Sequence, residues 1–302
     1  MKKKWWLLLV LILICLIGGG WFYTKRPVVS TSKQPTYVEK SQVHLVAVGD
    51  SLTYGQGDEK KDGGYVGIIK GLIENKYKKT TVETKNYGVS GNRSDQILAR
   101  LNSQAQMRAD LKKADVITMT VGGNDLRESL EENIFYSPKT IEKNIDKEQT
   151  VYAKKLHKLL NAVRAQNSTA PVFIISIYNP VYTYFPDADA INSSVDKLNT
   201  TTQNVMKDYH SMYFVDINHL MSWGQYKTAE QRQALIDKEH KANQGKVSQT
   251  KILEIMEEGN KNLNKYISTE DNFHPNHLGY EQMANSLFSV MKDHDSWEYV
   301  KR

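Results

Sequence analysis

Cysteine is nearly absent from this chain of 302 residues: there is one, Cys15, and it lies in an apolar run near the amino terminus. A single cysteine excludes an intrachain disulfide framework and a metal site built from several thiolates. Acidic residues are missing from residues 1–26, and the 19 residues from Trp5 to Tyr23 carry no charge at all. The rest of the chain is long enough to bury a sizeable core, so a globular domain is expected there.

Positive charge is concentrated at one end of the chain. The formal net charge is +6, but much of it flanks the uncharged run, in Lys2, Lys3, Lys4, Lys25 and Arg26. The remainder is nearly neutral and has no basic patch with interleaved aromatic residues. The charge pattern therefore argues against nucleic acid as a partner.

The uncharged run, residues 5–23, predicts a membrane helix. Its length is about that needed to cross a bilayer, and tryptophan and tyrosine lie at its two ends, where aromatic belts sit. We expect an uncleaved signal anchor, with residues 1–4 inside the cell and the body of the protein on the extracytoplasmic face. Two alternatives stay open: a cleaved signal peptide, although only Gly18–Gly20 supply small residues, and a lipoprotein modified at Cys15, although large residues precede it.

Strand and helix signals alternate along the rest of the chain. Residues 24–42 have the composition of a linker, a globular domain is predicted over 43–292, and 293–302 form a tail. Strands are predicted at 43–48, 80–87, 115–121, 171–177 and 212–217, and helices at 64–77, 94–101, 140–166, 193–209 and 278–291. Such alternation indicates an α/β domain with a parallel sheet covered on both faces.

Residues 219–270 are longer than the usual connection in an α/β domain. They contain two helical patterns, near 229–241 and 249–263. Two interpretations stay open. The segment is either a surface insertion without a role or a cap that lies over the active site and selects the substrate.

One serine follows the first predicted strand, in Gly49-Asp50-Ser51-Leu52. Ligands of open α/β sheets bind at this carboxyl edge, but a serine hydroxyl needs a base before it can attack. Asp271 and His274 supply a carboxylate and an imidazole three residues apart, close enough to contact each other. The alternatives are a serine in a turn or at a helix N-cap, and a capping role for Asp271 and His274 before the last helix. His277 completes a metal-like spacing, but no fourth ligand accompanies it, so no metal is expected.

Two further residues follow strands and can stabilise an oxyanion. Asn124 follows the third predicted strand after paired glycines, and its side-chain amide can donate a hydrogen bond. Gly91 follows the second strand and can donate its backbone N–H. The alternative for each is an ordinary turn residue. All of these candidates belong to one edge of one sheet.

These blocks, in this order, resemble those of the SGNH, or GDSL, hydrolase family. The resemblance covers roughly residues 43–292, and within the family it is greatest to membrane-tethered lipase/acylhydrolase-like proteins of Gram-positive bacteria. It implies a flavodoxin-like three-layer α/β/α fold with a five-stranded parallel sheet. It also implies Ser51 as nucleophile, His274 as general base and acid, Asp271 as its orienting carboxylate, and an oxyanion hole made by the Ser51 and Gly91 backbone N–H groups with the Asn124 side chain. No cofactor is expected.

The expected function is hydrolysis of an ester through an acyl-enzyme, with a lipid or an acylated surface carbohydrate as substrate. An O-acyltransferase or a deacetylase acting on cell-wall polymer is an alternative, as is a surface binding protein without activity. The aromatic residues after the fourth strand either line an acyl pocket or pack on the domain; they are Tyr178, Tyr182, Tyr184 and Phe185. The sequence leaves the oligomeric state open.

Overall fold

The computed structural model describes residues 37–132, 138–243 and 263–301, with side chains for all of these except 131–132, 138–143, 242–243 and 301. Within them, Val38–Val300 forms one compact unit. The predicted membrane helix at 5–23 and most of the second helical piece of the insertion lie outside the described residues. Among the residues that are described, no helix is long and apolar enough to cross a membrane.

A five-stranded, all-parallel sheet forms the centre of the unit, with strand order β3-β2-β4-β5-β6. These strands are β2 (Gln42–Gly49), β3 (Thr81–Gly88), β4 (Val116–Thr120), β5 (Val172–Ile175) and β6 (Met212–Val215). Two short strands, β1 (Tyr37–Glu39) and β7 (Tyr299–Lys301), pair in a separate sheet.

Helices follow the strands and lie on both faces of the sheet. They are α1 (Ser51–Tyr54), α2 (Gly64–Lys76), α3 (Ser94–Ser103), α4 (Ala105–Lys113), α5 (Gly123–Glu132), α6 (Pro138–Gln166), α7 (Asp189–Met206), α8 (Asn218–Trp223), α9 (Ala229–Asn243) and α10 (His277–Asp293). A 3₁₀ turn at Asp295–Trp297 precedes β7.

The three layers follow from the alternation of side chains along buried strands. Val46, Val48, Ile117 and Met119 point to one face, where they pack with apolar residues of α3, α4, α6 and α7. Their neighbours in sequence point to the other face and pack with α2 and α10. The predicted three-layer fold with five parallel strands is confirmed, and each predicted strand overlaps an observed one.

Some local elements differ from the predictions. Four helices were not predicted: α1 and α8 are short, and polar residues dominate α4 and α5. The predicted helix at 94–101 opens with Ser94 and Asp95, whose residue types predict an N-cap there. The observed N-cap is Arg93, whose backbone N–H donates to the Gln96 side-chain oxygen at 2.9 Å. Ser94 lies inside the helix, after the cap, and its hydroxyl donates to Asp125 at 2.6 Å.

The order of the strands brings three loops side by side at the carboxyl edge. Strand β2 pairs with β3 on one side and β4 on the other, so the loops after these strands adjoin. Two glycines permit the close approach: a Cβ at Gly49 would lie 2.4 Å from Thr120 Oγ1, and one at Gly88 would lie 2.1 Å from the backbone nitrogen of Tyr54. Ser51, Gly91 and Asn124 all lie on these loops or on the helix turns that follow them.

Candidate active site

Ser51 is the first residue of α1 and is separated from the end of the buried strand β2 by Asp50 alone. Asp50 caps this short helix by accepting a hydrogen bond from the Leu52 N–H at 3.0 Å. The same carboxylate oxygen accepts the Thr120 hydroxyl at 2.7 Å. The cap thereby ties the start of α1 to the neighbouring strand β4, and Ser51 itself is only 4 % exposed.

His274 lies between Ser51 and Asp271. Its Nε2 is 2.8 Å from the Ser51 Oγ, and its Nδ1 is 2.5 Å from Asp271 Oδ2. The second carboxylate oxygen, Oδ1, accepts the backbone N–H groups of Phe273 and His274, each at 3.0 Å. The structure therefore brings together the three side chains that the sequence analysis singled out, in the order hydroxyl, imidazole, carboxylate.

Tyrosines from the segment after β5 hold the loop that carries His274. The Tyr178 hydroxyl donates to the Phe273 carbonyl at 2.8 Å, and the Tyr184 hydroxyl donates to Asn272 Oδ1 at 3.3 Å. Asn272 is buried and has a positive φ of 50°, a conformation that costs energy for a residue with a side chain. These contacts favour the packing interpretation of Tyr178 and Tyr184 over an acyl pocket.

The pKa values of Asp271 and Asp50 shift in opposite directions. For Asp271, partial burial raises the pKa, but hydrogen bonds and charge attraction from His274 outweigh it and leave the pKa below its ordinary value. For Asp50, burial dominates and raises the pKa, although the Thr120 and Leu52 hydrogen bonds oppose it. Asp271 is thus the carboxylate better stabilised as an anion next to the imidazole.

Gly91 and Asn124 are linked through Asn92, which directly follows Gly91. The Asn124 side-chain nitrogen donates to the Asn92 carbonyl at 3.0 Å. Gly91 has a φ of 78° and faces open space, because a Cβ there would meet no atom within 4 Å. An amide nitrogen carries two N–H groups, so Asn124 retains a second donor for an oxyanion.

Asp58 is a residue at the site that the sequence analysis missed. Its buried carboxylate lies 2.9 Å from Nδ1 of His277, in the first turn of α10, and accepts the backbone N–H of Gly64 at 3.0 Å. Nε2 of His277 lies 3.3 Å from Glu281. His277 is therefore a buried supporting residue. Its partner is 219 positions away, a distance at which the sequence carries no pairing signal.

The described part of the insertion packs on the segment after β5. Leu235 of α9 is buried, and His240 Nδ1 lies 3.4 Å from Asp187 Oδ2. The Arg232 guanidinium lies 3.8 Å from the ring centre of Trp223. Among the described residues, no group of three or more His, Cys, Asp or Glu side chains is arranged to hold a metal ion.

Comparison with known proteins places this geometry in context. The model of the GDSL-like lipase/acylhydrolase family matches residues 47–282. The uncharacterized protein YpmR of Bacillus subtilis is 33% identical over 266 residues, which cover 87% of this chain and 88% of that protein. The spore germination lipase LipC of Bacillus licheniformis is 28% identical over 211 residues, or 67% of this chain and 91% of LipC.

A solved structure shares the fold. The crystal structure of the lipase Lip_vut3 from a goat rumen metagenome superposes with a TM-score of 0.60 at 23% sequence identity. The match covers 82% of this chain and 97% of that one. At this level of identity the likeness supports the architecture of the domain and leaves its chemistry to be argued from the site.

Proposed function

The chain belongs to the GDSL-like lipase/acylhydrolase family and is an ester-hydrolysing enzyme, and from this premise we propose that Ser51 is its nucleophile. The hydroxyl oxygen attacks the carbonyl carbon of the ester while His274 Nε2 takes its proton. Asp271 holds the imidazole tautomer with the proton on Nδ1 and stabilises the imidazolium that forms.

The developing negative charge falls on the former carbonyl oxygen. Donors already aimed at that position stabilise the transition state without reorganising. We assign this role to the backbone N–H groups of Ser51 and Gly91 and to the second N–H of the Asn124 amide. Collapse of the intermediate expels the alcohol, which takes the proton from His274 Nε2. Water then attacks the acyl-enzyme by the same steps and releases the acid.

One observation carries the proposal: a continuous line of contacts from Ser51 Oγ to His274 Nε2, and from His274 Nδ1 to Asp271, at 2.8 and 2.5 Å. A serine in a turn or at an N-cap needs no imidazole within hydrogen-bond distance. A carboxylate that merely caps α10 needs no contact with Nδ1. The line of contacts is the arrangement that activates a hydroxyl.

The proposal extends to the location of the enzyme. The uncharged residues 5–23, with lysines before them, support a single membrane-spanning anchor followed by a linker up to residue 42. The catalytic domain, residues 43–292, then lies on the extracytoplasmic face. Protease protection in intact cells tests this: an epitope at the carboxyl terminus is expected to be digested by external protease.

For the substrate we propose an ester of a lipid or of an acylated surface carbohydrate. The relative LipC carries the name of a lipase, which supports the lipid. The contact of α9 with the segment after β5, between His240 and Asp187, supports a cap formed by residues 219–270. Shortening the insertion in a folded protein is then expected to change the preference between short and long acyl chains.

Hydrolysis of p-nitrophenyl esters from acetate to palmitate tests the activity. The full chain in a non-ionic detergent is compared with Ser51→Ala, whose fold is checked by circular dichroism. Turnover that disappears in the variant supports the proposal, and the optimal chain length separates a deacetylase from a lipase. Adding an acceptor alcohol shows whether acyl groups are transferred instead of hydrolysed. Equal turnover by Ser51→Ala would overturn the assignment of the nucleophile.

A further inference from the structure

Arg100 lies on α3 at the carboxyl edge of the sheet and is half-buried. Its guanidinium donates to three different segments. Nη2 donates to the Gly49 carbonyl at 2.9 Å, and Nη1 donates to the Tyr87 carbonyl at 3.0 Å. Nε donates to the Asn92 side-chain oxygen at 2.6 Å. One side chain thus connects the ends of β2 and β3 with the loop between β3 and α3.

Asn92 is held from two sides. Arg100 binds its side-chain oxygen, and Asn124 binds its backbone carbonyl at 3.0 Å. Asn92 therefore links the two proposed oxyanion donors, because it directly follows Gly91 and accepts from Asn124. Gly49, the other end of the connection, directly precedes Asp50 and Ser51.

We propose that Arg100 is a positioning residue that fixes the Gly91 and Asn124 donors relative to Ser51. The inference rests on the proposed function, since it concerns the oxyanion hole of that reaction. Oxyanion donors act because they are fixed before the charge develops, so a shift of the loop reduces the rate without preventing substrate binding. The planar guanidinium suits this task, because its donors have a rigid arrangement that a lysine ammonium does not reproduce.

Arg164 on α6 provides a matched control. It is also half-buried, and it donates to backbone carbonyls at the opposite, amino edge of the same sheet, including those of Ala170 at 2.7 Å and Ser211 at 2.9 Å. No residue of the proposed reaction lies among its partners. Substituting it removes the same type of contact without touching the oxyanion loop.

The test compares Arg100→Lys with Arg164→Lys in the full chain, using a p-nitrophenyl ester. Both variants are expected to lower the melting temperature. Arg100→Lys is expected to lower kcat by about tenfold or more with little change in KM, whereas Arg164→Lys keeps kcat within about twofold. An equal effect of both substitutions on kcat, or a kcat for Arg100→Lys within about twofold of wild type, would overturn the inference.

Two further variants keep the test informative. If Arg100→Lys does not fold, Asn92→Ala replaces it in the test, because it removes one contact of Arg100. Asn92→Ala is expected to lower kcat, and an unchanged kcat contradicts the inference. In an Asn124→Ala background, Arg100→Lys is expected to lose most of its effect, since both act on one group of donors. Independent, multiplicative losses would contradict the shared role. If Ser51→Ala retains activity, the proposed function fails, which is a different result from a silent Arg100→Lys.

Discussion

At each edge of the parallel sheet one arginine donates hydrogen bonds to backbone carbonyls, but the two arginines hold different parts of the molecule. At the carboxyl edge Arg100 donates to the carbonyls of Gly49 and Tyr87, and at the amino edge Arg164 donates to those of Ala170 and Ser211. Burial lowers the pKa of both guanidinium groups. Each edge therefore accepts a half-buried cation in order to satisfy backbone carbonyls at the ends of strands.

The carboxylates show the difference between the edges. Asp115, just before β4 at the amino edge, lies 2.6 Å from the Lys40 ammonium and 3.2 Å from His44 Nδ1. Asp50, at the carboxyl edge, is bound by a hydroxyl and a backbone N–H, and burial raises its pKa. The charge of Asp115 is thus paired, whereas that of Asp50 is only partly compensated. A buried carboxylate that is costly for stability therefore lies next to Ser51, where the proposed chemistry takes place.

Asp271→Asn is expected to give the largest difference in kcat between a substitution at the carboxyl edge and its control at the amino edge. An asparagine can occupy the same space but favours the wrong imidazole tautomer, so kcat is expected to fall by about 10⁴-fold. The measurement is ester hydrolysis, with circular dichroism to confirm the fold. Asp115→Asn at the amino edge is the control and is expected to keep kcat. A fully active Asp271→Asn would remove Asp271 from the mechanism.

A smaller loss is expected from Asn124→Ala, which removes one oxyanion donor. Loss of such a donor reduces kcat by roughly 10²–10³-fold. Steady-state kinetics check this, with KM expected to stay near that of wild type. Asn167→Ala is the matched control, because Asn167 donates to the carbonyls of Leu111 and Ala114 at the amino edge. An active Asn124→Ala enzyme would show that the oxyanion is stabilised elsewhere.

Asn167→Ala also tests how much this residue stabilises the amino edge. Asn167 is buried, and each of its two amide donor contacts is 2.9 Å long. Its removal takes a hydrogen-bond donor from two backbone carbonyls, although that of Leu111 keeps the Ala114 N–H, and is expected to lower the free energy of unfolding by about 1–3 kcal/mol. Urea denaturation measures this loss. A large drop in kcat at full stability would contradict the division between the two edges.

The smallest effect concerns the Asp58–His277 pair. Burial raises the pKa of Asp58, but the hydrogen bonds from His277 and backbone N–H groups outweigh it and lower the pKa. A carboxylate whose pKa is lower in the folded state stabilises the fold at any pH above its unfolded-state pKa. This contribution is lost as the pH falls through the folded-state pKa. His277→Gln is therefore expected to be less stable than wild type at neutral pH, with a difference that shrinks below about pH 4.

His277→Asn is the matched variant for that experiment. Its side-chain nitrogen is attached at the same position as Nδ1, so it can still donate to Asp58, whereas the glutamine nitrogen corresponds to Nε2. Urea denaturation across the pH range is expected to place His277→Asn near wild type. If both variants lose stability equally at every pH, the contact with Asp58 does not stabilise the fold.

Much of the site could be predicted because its parts are local in sequence. Ser51 follows a buried strand directly, and Asp271 precedes His274 by three residues, so strand endings and short spacings were sufficient to find them. The sheet was equally accessible, since the buried strands are short apolar runs between helical patterns.

The supporting contacts could not be predicted, for two physical reasons. Asp58 and His277 pair across 219 positions, and Ser94 donates to Asp125 across 31; such pairs exist only after the chain has folded. Arg100 binds two backbone carbonyls, which every residue possesses, so nothing in the sequence marks its partners. The predicted N-cap of α3 was wrong for the first of these reasons, because Ser94 contacts a carboxylate that is distant in sequence.

The most direct test of the account is covalent labelling of Ser51. The full chain is treated with a fluorophosphonate, which reacts with activated serine hydroxyls, and the labelled peptide is identified by mass spectrometry. We predict one label on Ser51, absent from Ser51→Ala and strongly slowed in His274→Ala, with hydrolytic activity lost in proportion to labelling. Hydrolysis that persists after Ser51 is fully labelled would contradict the central claim.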